Sequence, residues 1–528
     1  MTRRDLMLAA ARLGTLGLTI GCLETMGLAT ESAPTDLDAL EPIGEDAPPI
    51  LILGAGIAGM CAAYELEALG YRCRILEART RSGGRCVTIR QGDRIDEPGY
   101  SQTCSYEEGH YFNPGPTRVP SWHITVDYCR KFGVALAPWI NVNENAYILQ
   151  TQGSLANRRL LIRDVIADTE GHMGFFLSDA IKQGRAGSDW SAADRAAVLK
   201  FLASYAFLDE DGVYRGTYRR SFKDFDPVSS SELKHEEPID MSSLFSGGVG
   251  SYFKFINAID QQMTMMEIVG GVDKIAKAFE KRLRTRIEFG CEVTEIDTAP
   301  AETVVTFKDR AGKNSVARAP FCICTIPLAV LRKIPANFSS DASEAVQKAF
   351  YAAVTKVGGE FGRRFWEEDD RIYGGITWTD QQIHQIIYPS WGFHSSGGVL
   401  VNYTGGAAGM ALSSLPPSKR ISRAMDQVAK IHPQAPKHFK NAVTLSWDKT
   451  PYSNDAFVVW EFTPDADRLY RSLLEPQGSL YFSGEHCSQI TAWMAGAIES
   501  ARSVVKKIHL RANERTSRDT PRSSWNEA

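Results

Sequence analysis

Gly54, Gly56 and Gly59 stand in the run Gly54-Ala-Gly56-Ile-Ala-Gly59, and Glu77 follows downstream. Gly54 permits a tight turn, Gly56 lets backbone approach a pyrophosphate, and Gly59 lets a helix pack closely on a strand. A helix starting here offers phosphates free N–H groups and the positive end of its dipole. Glu77 can accept hydrogen bonds from ribose hydroxyls. This is the chemistry of dinucleotide binding. Gly83-Gly84-Arg85 adds a second close backbone pass and a cation that can neutralise the pyrophosphate. Arg118 sits between Pro116 and Pro120 in Asn113-Pro-Gly-Pro-Thr-Arg-Val-Pro120. The prolines stiffen that loop, and a guanidinium fork binds carboxylate through two parallel charge-assisted bonds.

The elements that must position these residues can be read around them. Pro49-Ile50-Leu51-Ile52-Leu53 is an apolar strand, Met60 to Leu69 reads as a helix, and Cys73-Arg74-Ile75-Leu76 is a second strand that ends on Glu77. The order strand, glycine turn, helix, strand, acid is the Rossmann arrangement. Apolar positions at helical spacing follow Gly270-Gly271 over residues 271 to 283. Ile287 to Ile296 reads as two strands around Gly290, and Leu480-Tyr-Phe-Ser-Gly484-Glu485 as a strand running into an acid. Gly374-Gly-Ile-Thr-Trp378, Ile386-Ile-Tyr388 and Val399-Leu-Val-Asn-Tyr403 are β-type runs. Between them, Asp164, Asp189 and Ser191 open helical patterns, with Ser191 placed as an N-cap.

Glu77-Ala78-Arg79, Gly83-Gly84-Arg85, the Gly115-Pro116-Thr117-Arg118 loop, Glu267-Ile-Val-Gly-Gly-Val-Asp273 and Trp493-Met-Ala-Gly-Ala497 together resemble the flavin amine oxidase family. The resemblance covers residues 48 to 508 and is strongest toward bacterial-type L-amino-acid oxidases. It implies FAD rather than a nicotinamide cofactor. It carries cofactor contacts over to Gly54, Gly56, Ala58, Gly59, Glu77, Ala78, Arg79, Gly84 and Arg85. It does the same for Gly115, Pro116, Thr117, Arg118, Val293, Gly484, Glu485, Ala492, Trp493 and Ala497. It makes Arg118 the substrate-carboxylate clamp with the hydroxyl of Tyr388 beside it, Ala492 and Trp493 part of the substrate wall, and Lys356 the lysine that acts at the flavin. The Gly-Gly-Cys stretch through which some monoamine oxidases attach FAD has no counterpart in Pro451-Tyr-Ser-Asn-Asp-Ala-Phe457, so the expectation is non-covalent FAD. No catalytic base is assigned.

The 528-residue length exceeds one hydrophobic core. The flavin signatures are discontinuous, which predicts an α/β fold. A Rossmann-like FAD-binding domain (48–100, 262–330 and 440–508) would be interrupted by a mixed-sheet substrate domain (101–145 and 331–439) and a mainly helical insert (146–261). Residues 30–47 read as a linker and 509–528 as a disordered tail. Thr2-Arg3-Arg4-Asp5-Leu6-Met7 before the mildly apolar stretch 8–28 resembles a twin-arginine export signal over residues 1–29, giving a periplasmic or secreted protein. Without that signal the expectation is cytoplasmic. Arg12 and Glu24 interrupt the stretch, against a membrane span. A net charge of −4 gives no sign of nucleic-acid binding. The ten cysteines lack metal-ligand spacing, so no metal site is expected, and Cys322 and Cys324 read as buried small hydrophobes.

The expected activity is oxidative deamination of an L-amino acid to a 2-oxo acid, ammonia and hydrogen peroxide, with molecular oxygen as co-substrate. Two alternatives on the same fold are an amine or polyamine oxidase and an amino-acid 2-monooxygenase. A third is a non-catalytic flavin scaffold. A homodimer is left open.

Overall fold

The computed structural model describes residues 36–44, 47–224, 228 and 234–519, with the helical backbone alone for 515–519. The export signal, part of the linker and the last residues of the tail lie outside the described residues. The strand Ile50–Leu53 lies at the centre of a five-stranded parallel sheet, in the order Ile287–Phe289, Cys73–Glu77, Ile50–Leu53, Phe321–Cys324, Leu480–Phe482. Every residue of Ile50–Leu53 is buried. A central parallel strand is covered on both faces, which is why it reads as an unbroken apolar run rather than an alternation. Cys322 and Cys324 are buried in one apolar cluster with Leu51 and Leu53.

Two helices cover the other face. Ile57–Ala68 is lined with small residues, and a Cβ on Gly59 would stand 2.0 Å from the Gly54 carbonyl oxygen. The helix therefore needs glycine there to sit this close to the turn. The long helix Met494–Asp519 packs Ile498, Ala501, Val505 and Ile508 into the same cluster as Met60, Ala62 and Leu66. It continues through His509 and Ala512, both buried, so the stretch from 509 is not the irregular tail that its polarity suggests.

The chain leaves the parallel sheet after Glu77, after Phe289 and after Cys324. Gly290, at φ +75°, turns the chain from Ile287–Phe289 into the three-stranded antiparallel sheet that begins at Glu292–Thr298. The second large sheet has seven strands, in the order Phe439–Ser446, Val354–Phe361, Gly398–Gly405, Gln385–Ile387, Ile376–Thr379, Tyr147–Leu149, Arg159–Leu161. One pair, Ile376–Thr379 with Tyr147–Leu149, is parallel and the rest antiparallel, so the sheet is mixed. Two expected boundaries move. Phe439–Ser446 pairs along Val354–Phe361 and belongs to this sheet, not to the nucleotide unit. Tyr147–Leu149 and Arg159–Leu161 also belong to it, so the helical insert begins at Ile162–Lys182. The insert continues through Ala192–Tyr205, where the Ser191 hydroxyl accepts the Asp194 N–H at 3.1 Å as an N-cap. It ends with the short helices Met241–Ser246 and Gly250–Ile256. Among the described residues no helix is long and apolar enough to cross a membrane.

Candidate active site

One cavity of about 1020 Å³ runs between the parallel sheet, the seven-stranded sheet and the insert. The glycine turn and the acid after Cys73–Glu77 line it through Gly54, Gly56, Ala58, Glu77, Ala78 and Arg79. The Glu77 carboxylate is held in place by the N–H groups of Ala55 at 2.7 Å and Arg79 at 2.8 Å. Nothing lies within 4 Å of a Cβ built on Gly56, so the space against that backbone is open for a ligand. Val293 lines the same region. Gly59 does not reach the cavity and acts through packing instead.

Gly84 and Arg85 continue the wall, with Gly484 and Glu485 beside them. The Arg85 guanidinium donates to Glu485 Oε1 at 3.0 Å and to the Ala456 carbonyl at 2.5 Å. The two charges are thus paired side by side along the cavity. Ala492, Trp493 and Ala497 bring the start of Met494–Asp519 to the wall. Ala492 holds a left-handed φ of +67°, costly for a residue with a Cβ. Such strain recurs where a structure must aim a segment at a site.

At the far end stand Gly115, Pro116, Thr117, Arg118 and Lys356. Lys356 lies on the buried strand Val354–Phe361 and donates from Nζ to the Gly115 carbonyl at 2.6 Å. Burial, with the nearby Arg118 charge as a lesser cause, lowers its ammonium to about 7. The Arg118 guanidinium lies against the rings of Phe255 and Trp493, at 5.6 and 5.9 Å from their centroids. Its Nη2 donates to Gln261 Oε1 at 3.0 Å, and its buried Nε has no partner. Burial lowers Arg118 to about 10, opposed by the Asp260 charge, so it remains a cation at neutral pH. Asp260 in turn accepts the Trp493 indole N–H at 2.7 Å.

Tyr388 is not part of this site. It is fully buried on the other side of the sheet, its hydroxyl bonded to Thr377 Oγ1 at 2.8 Å and His432 Nε2 at 2.7 Å. The tyrosine that lines the cavity beside Lys356 is Tyr403, which faces it across the strand pair, with Nζ 5.6 Å from its ring. Phe255, Asp260 and Gln261 from the insert, and Trp378, Gln385 and Ile387 from the sheet, complete this end. Sequence reasoning placed the strands of Trp378, Ile387 and Tyr403 but not the face each residue takes. It had no signal for the insert residues. Glu107, His110 and Glu360 could together offer metal-ligand atoms. Glu360, however, already accepts the Glu107 N–H at 2.7 Å, pairs with His110 Nδ1 at 2.6 Å and accepts Asn441 Nδ2 at 2.5 Å.

The sequence pattern that defines the flavin containing amine oxidoreductases matches residues 57–509. The chain belongs to that family. It is 31% identical over 492 residues to the flavin-dependent L-tryptophan oxidase RebO of Lentzea aerocolonigenes, covering 87% of this chain and 97% of that one. It is 27% identical over 492 residues to the L-amino acid oxidase bordonein-L of Crotalus durissus terrificus, covering 89% and 88%. Cyclohexylamine oxidase from Brevibacterium oxydans superposes with a TM-score of 0.59 over 88% of this chain and all of that one, and at 16% identity the likeness is one of fold.

The residues present fit FAD. The cavity joins a pinned ribose-type acid, an open glycine turn, a part-buried arginine and a helix start to a separate polar end. Glu77, Gly56, Arg85 and the start of Met494–Asp519 could hold its nucleotide and phosphates.

Proposed function

We propose that the protein is an FAD-dependent L-amino-acid oxidase. The overall conversion takes an L-amino acid, water and oxygen to a 2-oxo acid, ammonia and hydrogen peroxide. The observation that carries this reading is Arg118. It is a part-buried cation lining the end of the cavity; the Asp260 charge acts on it, but among the described residues no carboxylate forms an ion pair with it. A desolvated guanidinium fork calls for an anion, and a substrate carboxylate meets that need with two parallel bonds. An amine substrate without a carboxylate would leave it unmet. The printed names of the relatives, an L-tryptophan oxidase and L-amino-acid oxidases, support the same substrate class.

A bound flavin supplies the two-electron oxidation and passes the electrons to oxygen. The chain does the rest. Arg118 fixes the carboxylate, which orients the α-carbon, and such positioning lowers the barrier substantially. Gln261 Oε1 yields its place on Nη2 as the carboxylate arrives. Phe255 and Trp493 hold their rings against the guanidinium and limit its contact with water, which strengthens its hold. Lys356, partly neutral near pH 7, holds a proton close to where charge develops. The twin-arginine motif supports export of the loaded enzyme, tested by locating an Arg3→Lys, Arg4→Lys variant.

Product analysis under air tests the reaction. The expected products are a 2-oxo acid and peroxide in equal amounts. An amide with carbon dioxide would instead make the protein a monooxygenase.

A further inference from the structure

Behind the Arg118 loop lies a second, smaller cavity of about 30 Å³. A water needs roughly 10–15 Å³ of such space, so it holds about one or two waters. Its wall is largely apolar, which makes the few polar groups set into it stand out. Glu267 is buried on Thr264–Ile268, and among the described residues its carboxyl has no hydrogen-bond or ion-pair partner. Trp139 lies on the paired strand Leu136–Ile140, opposite Met265, and its buried indole N–H is also unpartnered. Asn113, Thr117 and Tyr111 share the wall. An orphan donor and an orphan acceptor around one water-sized space mark a water site, because each would otherwise carry its full desolvation cost.

The chamber adjoins the active site. Thr117 and Ile387 line both cavities. The strand bearing Glu267 is hydrogen-bonded to the Arg118 loop, Val119 N–H to Met266 C=O at 2.7 Å and Met266 N–H to Val119 C=O at 2.8 Å. Tyr111 and Trp391, both on its wall, are stacked with ring centroids 4.6 Å apart.

We propose that this chamber is a proton-holding water site of the substrate end, with Glu267 as its acceptor and the Thr117 hydroxyl as its link to the substrate amine. The inference rests on the amino-acid oxidase reading. An amino acid arrives with its amine protonated, and the amine must be neutral before the α-carbon can be oxidised. The substrate ammonium gives its proton to the Thr117 oxygen as Thr117 passes its own to the chamber water. That water protonates the Glu267 carboxylate. The sum is a neutral amine and a neutral Glu267, with no other change of charge.

Burial raises the Glu267 carboxyl to about 7, which matches it to this exchange at neutral pH. Tyr111 is the other titratable side chain lining the chamber and feels the Glu267 charge. Arg90 acts on Tyr111 from outside, and Arg118 adjoins Thr117. The sheet side presents Ile387, Val399 and Val401, none of them titratable.

The test uses flavin-loaded Glu267→Gln, Glu267→Asp and Trp139→Phe proteins. In the parent enzyme kcat/KM should rise with pH through the Glu267 ionisation. Glu267→Gln should lose that limb and fall about a hundredfold at pH 7. It should converge on the parent near pH 10, where the substrate amine is already neutral. Glu267→Asp should restore part of the loss, and Trp139→Phe should show a smaller loss of the same pH dependence. Infrared titration should show a buried carboxyl that ionises near pH 7 in the parent and is missing in Glu267→Gln. An equal loss at every pH, or unchanged profiles in Glu267→Gln and Trp139→Phe, would overturn the inference and leave the oxidase reading standing. Should Glu267→Gln not fold, the Trp139→Phe profile decides. A loaded parent enzyme inert toward every amino acid would overturn both.

Discussion

Lys356 and Gly115 are joined by a 2.6 Å hydrogen bond from the lysine Nζ to the glycine carbonyl, tying the buried strand to the loop that carries Arg118. Burial lowers this lysine to about 7, below the unfolded value of about 10.4. Between those values the unfolded chain binds more protons than the native one, so this group makes stability rise with pH across that window. Its destabilising effect is complete below pH 7. Lys356→Met should therefore raise the apoprotein Tm over the parent most at pH 6–7, with the difference shrinking toward pH 10. Calorimetry across that range checks it. The loaded variant should also turn over more slowly.

Arg118→Lys keeps the charge and loses the fork. A charged hydrogen bond is worth about 1.5–3 kcal/mol, so kcat/KM should fall roughly ten- to a hundredfold with flavin still bound. Arg118→Ala should be worse. Steady-state kinetics with an absorbance measure of flavin content checks both, and unchanged efficiency would remove Arg118 as the carboxylate clamp.

Two glycines of the nucleotide turn should separate binding from folding. Gly56→Ala meets no atom within 4 Å and should fold with an unchanged apoprotein Tm. It should bind flavin about 1–3 kcal/mol more weakly, because its methyl enters the ligand's space. Gly59→Ala drives a methyl against the Gly54 carbonyl and should destabilise the apoprotein itself. Melting curves with and without FAD distinguish the two.

Tyr388→Phe leaves Thr377 and His432 short of a buried partner. It should cost about 1–3 kcal/mol in urea unfolding and leave kcat/KM unchanged. A large rise in KM would return Tyr388 to the substrate site.

The contrast between Tyr388 and Tyr403 shows how far the sequence could be read. The glycine turn and Glu77 were legible because their chemistry is local, each residue acting within a few positions of the next. The strand around Ile386 was legible too, but which face meets the substrate depends on parity alone. Gln385 and Ile387 line the cavity, so Ile386 and Tyr388 turn away into the core. Tyr403 reaches the site because Gly398–Gly405 pairs in register with Val354–Phe361, opposite Lys356. Phe255, Asp260 and Gln261 arrive from an insert more distant in sequence, and nothing in their own segment announces it. Phe439–Ser446 changed unit for the same reason, since its membership is decided by a partner far away in the chain.

The central claim is tested most directly by mixing the yellow, flavin-loaded protein anaerobically with each L-amino acid, its D-enantiomer and the matching amine that lacks the carboxylate. The account predicts that at least one L-amino acid bleaches the flavin absorbance and that its decarboxylated counterpart does not. Bleaching by the amine as readily as by the amino acid, or no bleaching by any of them, would contradict it.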